Sequence, residues 1–166
     1  MRTKCIAVLF AGLVAAWSHA WLGPGLRAKD VKLTTDIAVL VNSQNPVNNV
    51  SLAALRKPLL GEQRAWSNKV SVALILRESG SREREVPLRV AAQMTEAQFK
   101  EYWLVRIFRG EASAEPLSVP SNGLASEYVS TNTGGLTFAQ GTNVRRDLKV
   151  LKVDGQSPGD ADYPLK

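Results

Sequence analysis

A chain of 166 residues is long enough for one domain and too short for two of ordinary size. Its 21 Lys and Arg against 15 Asp and Glu are interspersed, a modest excess that suits small anions better than a nucleic-acid polyanion. The single Cys and single His, Cys5 and His19, both fall in the first twenty residues, so the rest of the chain has no thiol, no disulfide, no His-based triad and no Cys/His metal site.

Those twenty residues read as a secretory signal peptide. Arg2 and Lys4 make a basic start, and Cys5 to Trp17 is an apolar run too short for a stable bilayer anchor. Ser18-His19-Ala20 then offers small residues at the two positions a signal peptidase reads, so cleavage is expected after Ala20. The alternative is an uncleaved anchor. Of the 21 basic residues, Arg2 and Lys4 leave with the signal, so 19 remain against 15 acidic ones and the net charge falls to about +4. Residues 21–33 mix Gly, Pro and charge and form a loose lead. Residues 34–166 form the domain, exported to the periplasm or beyond, with no membrane anchor after cleavage and no nucleic-acid partner, since aromatic and basic residues are not interleaved as a stacking platform.

Asp36 to Asn42 reads as a first buried strand, with Ile37, Val39 and Val41 on one face and Ala38 and Leu40 on the other. Asn45-Pro46 marks a turn. Ser51 caps a helix over 51–62, which Pro58 kinks or shortens and Gly61 stops. Trp66 is expected to close over the edge of the core. Val70 to Leu76 is a near-continuous apolar run, as in a strand buried on both faces. It gives way to Arg77-Glu78-Ser79-Gly80-Ser81 and then to a helix from Arg82 with Pro87 in its second turn, where the ring removes a backbone bond.

Thr95-Glu96-Ala97-Gln98 is a capping box, opening a helix to Gly110 whose Phe99, Tyr102, Trp103, Val105, Ile107 and Phe108 are expected to face the core. Glu111 to Val119 reads as linker, Ser121 opens a further helix, and Leu136 to Ala139 and Leu148 to Val153 read as strands before a loop tail. The order β-α-β-α-α-α-β-β gives an α/β fold, a small mixed sheet flanked by helices.

The chemistry concentrates in one stretch. A strand, a Gly/Ser turn and a helix N-terminus can hold an anion, because the first backbone N–H groups of a helix lack internal partners and carry partial positive charge. Arg77, Ser79, Gly80, Ser81 and Arg82 lie there and are the candidate site. An ordinary Ser-capped helix would look the same. Glu78, Glu83 and Glu85 interleave with Arg77, Arg82 and Arg84, as on a solvated ion-pair face. A serine nucleophile would need a base, and no Lys is close. No phosphate loop, dinucleotide fingerprint or carboxylate metal array is present, so no metal, cofactor or enzymatic activity is expected.

From about Asp36 onward the chain resembles the phosphate-binding, substrate-binding proteins of bacterial ABC transporters, and more closely their short, secreted, single-lobe relatives. The resemblance is carried by DIAVLVNSQNPV, SLAALRKPLLGEQRAW, LILRESGSRER, STNTGGLTFA, LKVLKVDG and the terminal YPL, whose order and spacing hold over some 125 residues. It implies one lobe of a type II periplasmic-binding-protein fold. It also implies an oxyanion, phosphate above all, held at the turn, with Arg77 and Ser81 as matching ligands and Gly80 permitting the bend. Implied partners are that small anion and either an ABC-transporter permease or a second chain for the missing lobe. The family's Gly-Thr after this serine is Arg82-Glu83 here, which exchanges a hydroxyl ligand for a carboxylate. The proline of the family's segment near residue 133 is also absent. The alternative function is a non-catalytic interaction module that keeps the fold and has lost its ligand.

Overall fold

The computed structural model describes residues 34–166. The signal peptide and the lead over 21–33 lie outside the described residues. The six strands are β1 (Ile37–Asn42), β2 (Asn49–Val50), β3 (Ala73–Arg77), β4 (Leu117–Val119), β5 (Gly135–Gln140) and β6 (Leu148–Val153), and they form one mixed sheet in the order β2-β6-β1-β5-β3-β4. β1 runs antiparallel to both β5 and β6, while β3 runs parallel to β5 and to β4. The four α-helices are α1 (Leu52–Leu59), α2 (Arg82–Pro87), α3 (Glu96–Phe108) and α4 (Asn122–Thr131).

Two of these strands lie outside the sequence-based expectation. β4 falls within the stretch read as linker, and β2 between the Asn45-Pro46 turn and Ser51, where the sequence suggests no element. Each is too short for a period-2 pattern to show, and β4 is bracketed by Pro116 and Pro120, which ordinarily argue against a strand. The prolines make sense at an edge. They deny hydrogen-bond donors to any further strand approaching the open side of β4.

β1 is buried along its whole length, and its alternation divides the interior. Ile37, Val39 and Val41 join Leu55, Leu59, Leu76, Val86, Leu88, Phe99, Trp103, Leu136, Phe138 and Leu151 on the side of α1, α2 and α3. Ala38 and Leu40 join Ile75, Val119, Ala125, Val129, Ala139 and Leu148 under α4. Burying a Leu or Phe side chain stabilises the fold by about 1.5–3 kcal/mol, so the first side carries most of the hydrophobic driving force. Trp66 closes that side as expected, 6% exposed, with its indole Nε1 donating to the Gly134 carbonyl at 2.9 Å. Gly134 and Gly135 then serve packing. A Cβ on Gly134 would lie 1.8 Å from the Ser71 carbonyl oxygen, and one on Gly135 would lie 2.8 Å from the Val129 Cα under α4.

Local signals set the helix ends well. Ser51 caps α1 by accepting from the Ala54 N–H, Pro58 lets it run only to Leu59, and Gly61 turns away at φ +64°. α3 has the complete capping box: Thr95 Oγ1 accepts from the Gln98 N–H at 3.3 Å, and Gln98 Oε1 accepts from the Thr95 N–H at 2.9 Å. α2 starts on time at Arg82. Pro87 ends its α-helical geometry, and the chain continues as one wider π-turn over Leu88–Ala92. The expectation for α3's apolar face needs correction. Only Phe99 and Trp103 are buried, while Leu104, Val105 and Phe108 are exposed, Phe108 by 83%. The tail is not free loop either: Tyr163 and Leu165 are buried, the Leu165 carbonyl accepts from the Ile37 N–H, and Tyr163 Oη donates to the Ile37 carbonyl, each at 2.8 Å. Burial, and after it the Asp36 charge, pushes the Tyr163 pKa up, so the phenol stays a donor.

Candidate functional site

Because β3, β4 and β5 are parallel, their C-terminal ends lie at one edge of the sheet, and α2 and α4 begin there. Arg77 ends β3 directly beside Val119, the last residue of β4. Its Nη1 donates to the Val119 carbonyl at 3.1 Å, which also accepts the Glu78 N–H at 3.1 Å. Its Nε is buried and has no partner among the described residues. The turn follows, with Gly80 at φ +85° and exposed. A Cβ there would meet nothing within 4 Å, so the glycine serves the backbone angle and not the space.

The five sequence-derived candidates are contiguous, yet their donors point to different places. Ser79 Oγ donates to Glu96 Oε1 at 2.7 Å, across to the start of α3. Ser81 occupies the N-cap position of α2 without capping it, since its hydroxyl donates to the Glu78 carbonyl at 2.8 Å. The Ser-capped-helix reading is corrected on that point. Arg82 is exposed and lines an open cleft together with Gly80, Arg89, Met94 and Glu96. Of the five, only the Arg77 side chain bonds at the strand ends, and the Ser81 N–H is given to the Glu78 carbonyl at 3.3 Å.

The solvated charged face expected around the turn holds for Glu78, Arg82 and Glu85, which are exposed, and fails for Glu83 and Arg84. Glu83 is 7% exposed and Arg84 4% exposed. Glu83 Oε1 accepts from Asn122 Nδ2 of α4 at 2.7 Å, and the Asn122 Oδ1 is buried without a partner among the described residues. Arg84 turns its guanidinium to Glu96, with Nε and Nη2 each 2.9 Å from a carboxylate oxygen, while Nη1 donates to the Arg77 carbonyl at 3.2 Å. Its plane lies over the Phe99 ring at 5.5 Å from the centroid. Burial pushes the Glu96 pKa up. The hydrogen bonds from Arg84 and Ser79 and the charges of Arg84 and Lys100 outweigh it, holding the carboxyl below its ordinary value. Asn122, Arg84 and Glu96 are the residues sequence reasoning missed. Asn122 and Glu96 come from elements distant in sequence, and Arg84 alternates with carboxylates in a pattern that imitates a surface.

Among the described residues no cluster of acidic, His or Cys side chains has metal-site composition, and no helix is long and apolar enough to cross a membrane. No family model matches the chain, and no curated protein does. Solved structures do match. An ABC-type phosphate transport receptor from Vibrio cholerae superposes with TM-score 0.62 at 20% identity, over 78% of this chain and 52% of its own. PstS from Borrelia burgdorferi superposes with TM-score 0.60 at 15% identity, over 81% of this chain and 56% of its own. A candidate phosphate ABC transporter substrate-binding protein from Clostridium perfringens, solved with phosphate bound, gives TM-score 0.60 at 17% identity, over 74% of this chain and 46% of its own. The chain thus spans about half the length of these neighbours. The chain shares the fold of these substrate-binding proteins over about half of their length.

Proposed function

We propose that this chain is an exported, non-catalytic substrate-binding-like protein that holds phosphate or a similar oxyanion at the Arg77–Ser81 turn, in a context of ABC-type uptake. One observation carries the reading. The Arg77 guanidinium stands at the converged C-terminal ends of parallel strands, with its Nε buried and unpartnered among the described residues. Ligands of open α/β sheets bind outside those strand ends, and a buried N–H without an acceptor favours an anion there. The structural neighbours, described as phosphate transport proteins, support the same class of ligand.

A second reading is favoured by a specific observation. The Ser79 and Ser81 hydroxyls are committed to internal acceptors, and the Glu83 carboxylate is buried beside the turn. A module with these features keeps the fold and acts through a partner, with little or no anion affinity. The turn is also open to solvent, so charge-assisted hydrogen bonds there are weakened unless a permease or a second chain covers it. Isothermal titration of residues 21–166 with phosphate and with sulfate separates the two. The binding reading expects heat at millimolar phosphate or below, and its loss in Arg77→Ala. No heat at millimolar phosphate, or binding indifferent to Arg77→Ala, leaves the interaction module.

A further inference from the structure

Arg84 and Ser79 together hold an oxyanion of the protein's own. The Arg84 side chain is 4% exposed, and two of its guanidinium nitrogens meet the two Glu96 oxygens at 2.9 Å each. Ser79 Oγ adds a third donor at 2.7 Å. A fork of two parallel N–H donors plus a hydroxyl is the donor set that recognises free carboxylates and phosphates, since it matches their geometry and supplies charge-assisted bonds. The two partners differ in how firmly they are fixed. Arg84 is fixed from three further directions, by burial, by the Arg77 carbonyl and by the Phe99 ring. Glu96 is 26% exposed, sits in the first turn of α3 and forms part of the wall of the open cleft beside Gly80. With the Glu96 carboxylate gone, the buried, pre-oriented guanidinium would lose its ion-pair partner behind that cleft wall, where Arg82 and Arg89 outnumber the remaining carboxylate, Glu85.

We propose that Arg84 and Ser79 form an oxyanion receptor beside the turn, that Glu96 is its resident intramolecular ligand, and that free phosphate or a small carboxylate competes with Glu96 for it. The ligand class rests on the anion reading above, but the donors are different ones, so the two can fail separately. The Lys100 ammonium, 3.7 Å from Glu96, adds to the positive field a displacing anion would meet.

The test uses Glu96→Ala and Glu96→Gln in residues 21–166, titrated with inorganic phosphate and with formate at constant ionic strength and followed by calorimetry and thermal unfolding. Glu96→Gln keeps the side chain's shape, and a variant that is unfolded without anion is scored by its refolding as phosphate is added. The expected result is phosphate binding at least about tenfold tighter than in the wild-type chain, with a dose-dependent rise in Tm that chloride does not reproduce. Adding Ser79→Ala should weaken that binding several-fold, and the gain from removing the Glu96 carboxylate should persist when it is measured against Arg77→Ala as the parent. Glu96 variants that bind no better than wild type overturn the receptor and make Arg84–Glu96 a structural ion pair, whatever the wild-type chain does with phosphate. A gain that vanishes with Arg77→Ala also overturns it, because the anion then sits in the Arg77 turn and the first reading stands alone.

Discussion

The starts of α2 and α3 face each other across the Ser79–Glu96 hydrogen bond and are built in opposite ways. At α3, Thr95 and Gln98 satisfy each other's backbone, and the helix begins with its polar side chains committed to its own end. At α2 the N-cap serine turns away, and only its carbonyl serves the helix, accepting from the Arg84 and Glu85 N–H groups at 3.0 and 2.9 Å. Side-chain capping is thus complete at α3 and omitted at the helix that follows the turn. The lesson is that the serine of a strand–turn–helix unit need not serve the helix behind it. What fixes α2 is Arg84, which pulls its first turn onto α3 and β3.

The largest effect should come from cutting that tie. Arg84→Ala removes one partner of a buried ion pair and leaves Glu96 without its fork, which by comparison with similar pairs costs about 3–5 kcal/mol. Urea unfolding would show it as a lower midpoint, and a loss under about 1 kcal/mol would mean that α2 is held by its apolar contacts alone. Next in size is an acid effect. The Glu96 pKa is lowered in the folded state, so its stabilising contribution is fully present above the unfolded carboxylate value of about 4.3 and is lost as pH falls through the folded value. Wild type should therefore lose stability more steeply below about pH 4 than Glu96→Gln does. Parallel acid titrations of the two proteins would contradict this assignment of the lowered pKa.

The smallest effects sharpen the contrast between the caps. Thr95→Ala should cost about 1 kcal/mol, the ordinary loss for a working N-cap, whereas Ser81→Ala should stay within about 0.5 kcal/mol because its hydroxyl caps nothing. Equal losses at the two positions would mean that Ser81 caps α2 as Thr95 caps α3. Phosphate titration of Ser81→Ala would then show whether the serine is reserved for a ligand.

Much of this layout was legible in the residues themselves. The alternation of β1, the capping box and the Pro58 and Gly61 signals are local patterns, and the structure follows them, whereas the apolar run from Val70 is strand only over Ala73–Arg77 and fully buried there only at Ile75 and Leu76. The sheet's outer strands were not legible, because β2 and β4 owe their extended form to the neighbours they pair with. Nor could the charge pattern of residues 82–85 disclose burial. Arg84 is buried because Glu96, twelve residues on, meets it, and Glu83 because Asn122 does, thirty-nine residues on. α3 misled in the other direction. Its apolar residues outnumber the positions that the sheet side can cover, so Phe108 is left in solvent.

The central position of β1 also sets the order in which the domain can be completed. It is the first described element to be synthesised, yet its two sheet neighbours are β5 and β6, the last two of the described strands, and Tyr163 reaches its first residue across 126 positions of chain. Contacts so distant in sequence make loop closure the slow step of folding, and β1 must wait for nearly the whole domain before its edges are covered. Until then a six-residue strand, apolar at every position but Asn42, stays open on both sides, the kind of segment that pairs with other chains when left exposed. Time, as well as affinity, is thus written into the position of this strand.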